Sequence, residues 1–74
     1  MVNIAKAQQI KKRHASRLLD LPGVWGVGVE TEGNDEAILV VHVDGRHSQT
    51  IRGLPTTIEG CPVRILEGAP FSKQ

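Results

Sequence analysis

Apolar positions recur at intervals of three and four from Asn3 to Leu21. Ile4, Ala7, Ile10, His14 and Leu18 form one stripe, with Leu19 beside it. Lys6, Lys11, Lys12, Arg13 and Arg17 fall mostly outside that stripe. The spacing predicts an amphipathic helix over 3–21. Asn3 suits its N-cap, because its side-chain oxygen can accept from an orphan N–H of the first turn. Pro22-Gly23 closes it: proline disfavours helical geometry at Leu21, and glycine permits a sharp change of direction.

The period then changes to two. Over 24–32 the alternation predicts a strand, with Trp25, Val27, Val29 and Thr31 on one face. Val24, Gly26, Gly28 and Glu30 fall on the other, and two glycines leave that face flat. Gly33-Asn34-Asp35 has turn composition. A second strand follows over 36–44; its Ile38-Leu39-Val40-Val41 centre is apolar on both faces, which predicts an inner place in the sheet. The two form an antiparallel hairpin. Asp44-Gly45 marks a turn, and 48–52 reads as a short extra strand. Leu54 to Gly60, with proline near its start and glycine at its end, reads as a single helical turn. Pro62 leads into a last strand over 63–67. Residues 69–74 read as a loose tail, from which Phe71 could fold back onto the core. The expectation is one small α+β domain over 1–74, an N-terminal helix packed on a three-stranded antiparallel sheet.

Composition adds constraints. The 74 residues are 39% hydrophobic with Trp25 and Phe71 as aromatics, so the core rests on Val, Ile and Leu. A small core of this kind is often completed by a disulfide, a metal or a second chain. Cys61 is the only cysteine, so no disulfide can form within the chain, and its isolation points to a reducing compartment. The formal charge of +1 gives no general attraction to nucleic acid or to an acidic membrane. No apolar run approaches the ~20 residues of a membrane span, and the basic start lacks the apolar core of a signal peptide. A cytoplasmic protein is expected, with a protein partner or self-association completing it.

Four stretches together carry a resemblance: Leu21-Pro22-Gly23-Val24-Trp25-Gly26-Val27-Gly28-Val29, then Ala37 to Val43, Leu54 to Gly60, and Cys61 to Gly68. In outline they give pGVxGVGV, aIxVxV and LPxxIeGxPVxxxexG. Over Lys12 to Gly68 this resembles the small segment preceding the peptidase domain of narrow-leaf-type trypsin-like serine proteases. The resemblance implies an accessory module that regulates or docks to a hydrolase. That family's catalytic residues lie in a separate peptidase domain and have no counterpart here.

The candidate chemistries are weak when each is set against its plainer alternative. Gly23, Gly26 and Gly28 follow a helix and enter a strand, the reverse of a dinucleotide fingerprint, so no helix N-terminus faces a phosphate. The Gly23-Val24-Trp25-Gly26 letters of a KH loop stand in the same wrong context. His42, His47 and Cys61 lack the paired spacing of a zinc site. His42, Asp44 and Ser48 supply the letters of a hydrolytic triad without the means to build its cleft. Cys61, between glycine and proline, reads as a small core hydrophobe. No catalytic residue, metal ligand or cofactor is therefore expected. What remains is a surface: Lys12, Arg13 and Arg17 on the basic helix face, which could also bind nucleic acid weakly, and Trp25, expected to anchor the helix–sheet junction in the core.

Overall fold

The computed structural model describes residues 2–33 and 36–68 of the chain. Helix α1 spans Ile4–Leu19, with Asn3 Oδ1 accepting from the Lys6 N–H at 2.8 Å, so the expected cap is present. Asp20 closes the helix at its C-terminus. The turn that follows uses Gly23 at φ 85°, a left-handed conformation that side chains resist.

Strands β1 (Val24–Glu32) and β2 (Glu36–Val43) form the expected antiparallel hairpin. Helix α2 (Ser48–Gly53), the two-residue strand β3 (Thr57–Ile58) and strand β4 (Cys61–Glu67) complete the order. Among the described residues the sheet has four strands in the order β1-β2-β4-β3.

Three expectations are corrected. The sheet is four-stranded and mixed, because β4 lies parallel to β2, with Leu39 beside Val63 and Val43 beside Glu67. Such a pairing needs a crossover, which the chain from 44 to 60 supplies. Ser48–Gly53 is helical, so the extra strand expected at 48–52 is absent. It begins at His47, whose carbonyl accepts from the Ile51 N–H. Leu54 to Gly60 is an extended segment and a tight turn instead of a helical turn. Glu59 (φ 51°) and Gly60 (φ 83°) both take left-handed angles, the geometry of a two-residue hairpin loop joining β3 to β4. The last strand also begins earlier than expected, at Cys61, with Pro62 inside it but paired on the short β3 side. The loose tail and Phe71 lie outside the described residues.

The core lies on one side of the sheet. Ala7, Ile10 and Leu18 of α1 pack with Ala37, Leu39, Val41 and Val43, the odd-numbered positions of β2. Ile51, Leu54, Ile58 and Cys61 join the same cluster, so the crossover runs on the helix side. Ile4 and Leu19, at the ends of the helical stripe, stay exposed. Cys61 is fully buried, and burial pushes its thiol pKa up. Ile38, Val40 and His42 point to the other side, where no helix lies among the described residues.

Candidate interaction surface

Trp25 sits in a β-bulge. Val24 pairs with Val43 and Gly26 with His42, which leaves Trp25 as the extra residue between them. The bulge turns its side chain away from Val27 and onto the helix-free face. The indole stacks on His42 at a centroid distance of 4.9 Å, and its Nε1–H donates to the Gly68 carbonyl at 3.1 Å. Expected in the core, Trp25 is instead 40% exposed. Gly26 makes room for the stack, since a Cβ there would lie 3.3 Å from the His42 ring.

The indole thus reaches from β1 across β2 to the end of β4. Toward the opposite end of this face an Arg64–Glu32 ion pair also spans the sheet. The two registers place Ile38 between these partners, and Ile38 is buried although no helix among the described residues covers it. Leu66, on β4 beside His42, is exposed close to the indole. The face therefore presents an apolar centre with a charged border.

Arg13 and Arg17 belong to a different surface. The Arg13 guanidinium grips Glu59 through two hydrogen bonds, of 2.6 and 3.1 Å. His14 Nε2 lies 2.8 Å from the same carboxylate, and Arg17 Nη2 lies 2.6 Å from His14 Nδ1. A guanidinium only donates, so Nδ1 accepts and Nε2 carries the proton given to Glu59. The Arg13 hydrogen bond, seconded by His14, lowers the Glu59 pKa from its usual 4.5 to about 2. The network ties α1 to the β3–β4 turn. Lys12 is exposed and belongs to no hydrogen bond or ion pair among the described residues. The four residues singled out in the sequence are therefore not brought together: Lys12, Arg13 and Arg17 lie on α1, and Trp25 lies across the sheet.

Glu59, and the role of His42 as the stacking partner of Trp25, are not legible in the sequence. The Glu59-Gly60 pair between two short extended runs was the available signal for the turn. His42 offered none, because its partner is fixed by the bulge.

A third feature is an open hollow of about 380 Å³ lined by Pro22 and the segment from Arg46 to Thr50. At its edge Asp44 accepts from the Arg46 guanidinium and backbone N–H, which hold its carboxyl well below the usual carboxylate range. Among the described residues no polar or charged side chain is buried, and no three of His, Cys, Asp and Glu converge on a point. No helix among them is long and apolar enough to cross a membrane.

No protein family, curated protein or solved structure matches the chain.

Proposed function

We propose that the chain is a non-catalytic interaction module that docks a protein partner on the helix-free face of its sheet, around Trp25. The observation that carries this is the indole itself. It is partly exposed, yet fixed by a stack on one side and a hydrogen bond at its polar end. A large amphipathic ring already held in one position loses little conformational freedom on binding, which is what interface anchors require. Leu66 and the Arg64–Glu32 pair supply an apolar neighbour and a polar border.

A trypsin-like hydrolase is the partner that the sequence resemblance singles out. Its support is the four matching stretches alone. Nucleic-acid binding through α1 is less favoured, because Glu59 already engages Arg13, and Arg17 is turned toward His14. A reducing, cytoplasmic setting is supported by the lone, buried Cys61.

Trp25 is the only tryptophan, so its emission reports contact directly. Capture with tagged wild-type chain is compared with Trp25→Ala and Lys12→Glu baits. Proteins held through this face should fall by about tenfold or more with Trp25→Ala and persist with Lys12→Glu. Adding the purified partner should shift the Trp25 emission. Retention by Trp25→Ala with loss in Lys12→Glu, weakening steeply with salt, would move the site to the helix.

A further inference from the structure

We propose that residues 69–74 fold back over the helix-free face of the sheet and seat Phe71 on Val40 beside Gly28, so that a partner meets this face only with the tail displaced. The displacement rests on the docking role proposed above; the seat of Phe71 does not.

Val40 is 1% exposed and Ile38 5%, the values of an interior. Both stand on the face that no helix among the described residues covers. Neighbouring side chains on such a face shield the flanks of a residue, not its top. For Val40 even one flank is bare. Its cross-strand neighbours are Arg64 and Gly28, and a Cβ on Gly28 would meet no described atom within 4 Å. The cover of Val40 therefore comes from the chain outside the described residues. Of that chain, residue 1 adjoins Val2, which belongs to the core on the helix side. Residues 34–35 are polar and join β1 to β2 at the far end of the hairpin. Residues 69–74 start from Gly68 and bring the one aromatic ring that is left, Phe71.

The exit of the chain agrees. Gly68 is held at both backbone groups: its N–H donates to the Val43 carbonyl at 3.0 Å, and its carbonyl accepts from the Trp25 indole at 3.1 Å. The indole lies on the helix-free face, so the chain leaves β4 anchored to that side. Pro70 has no N–H and biases Ala69 toward extended backbone. The tail is thus disfavoured both from lengthening the ladder and from turning helical there.

The reach fits as well. Glu67 faces Val43, so Gly68 stands one residue further and Val40 lies four residues back along β2, or ~13 Å. Phe71 is three residues beyond Gly68, ~10 Å of extended chain, and its ring spans the remainder. Seated there, the ring packs over a glycine of an edge strand and supplies the cover that the glycine lacks. Trp25 bounds the seat at one end and the Arg64–Glu32 pair at the other. Lys73, further along the same course, comes toward Glu30, an exposed carboxylate of this face with no ion-pair partner among the described residues.

Phe71 is the only phenylalanine, so its ring protons can be followed in the nuclear Overhauser spectrum of the full chain. Contacts from them to the Val40 methyls are expected, and Phe71→Ala should shift those methyl resonances more than the ones of Leu39, on the opposite face. A wild-type spectrum without these contacts overturns the proposal, and it decides even if Phe71→Ala fails to fold. Contacts that arise only between differently labelled molecules in a mixed sample overturn it too, by giving the seat to a second copy. Displacement is read with the partner captured by wild type. Phe71→Ala should hold it about tenfold more tightly, as for a tail that leaves about a tenth of the molecules open. Equal affinity would overturn the displacement. Contacts to Val40 with no partner captured by either chain would overturn the docking role alone and leave the tail in its seat.

Discussion

A Cβ on Gly23 would stand 2.5 Å from the His47 ring, at a φ of 85°. Both constraints act together at the one position where the chain leaves α1 and enters the sheet. Gly23→Ala should therefore cost about 2 kcal/mol or more, read as a lower midpoint in chemical denaturation; a change under about 0.5 kcal/mol would contradict the close contact. The need for glycine here was legible, because Pro22-Gly23 follows an amphipathic run. Trp25 was not. Alternation assigns it to the side of Val27, and a bulge belongs to a pair of strands rather than to one. The place of Cys61 in the core is legible, since a small apolar residue at a strand entrance needs no distant partner to explain it.

At the scale of elements, α1 was legible from end to end because its signals are local: a stripe, a cap and a breaker. The β3–β4 hairpin was not, because Pro55 and Gly60 punctuate a short helix equally well. What decides is distant in sequence. Glu59 takes a left-handed angle that side chains disfavour, and it is held there by Arg13 and His14, more than forty residues away. This clasp has a pH signature. Glu59 has a folded pKa lowered from 4.5 to about 2, so its contribution is complete above 4.5 and disappears as pH falls toward 2. The stability difference between wild type and Glu59→Gln should be full at pH 7, shrink below 4.5 and close near 2. Denaturation curves at several pH values check this. A gap that stays constant with pH would mean that the carboxylate charge is irrelevant to the clasp.

For the whole molecule, the α+β class and the central place of β2 were legible, the latter from four successive apolar residues. Strand direction was not. Val63 and Ile65 alternate identically whichever way β4 runs, and only the crossover through α2 decides that it runs with β2. That topology closes Cys61 in. Its thiol points to the Ala37 carbonyl at 3.6 Å, within the cluster that α1 shares and on the strand between β2 and β3. Every molecule therefore carries one sealed sulfur at the place where the last strand joins the first three elements. A thiol reagent can react only with molecules that have come open, so the labelling rate, divided by that of the denatured chain, counts the open fraction in native buffer. The free energy so obtained should equal the one from denaturation. A much smaller value would mean that the terminal hairpin opens alone, while the rest stays closed. The single cysteine, idle as chemistry, would then serve as a clock for the seam that local sequence could not reveal.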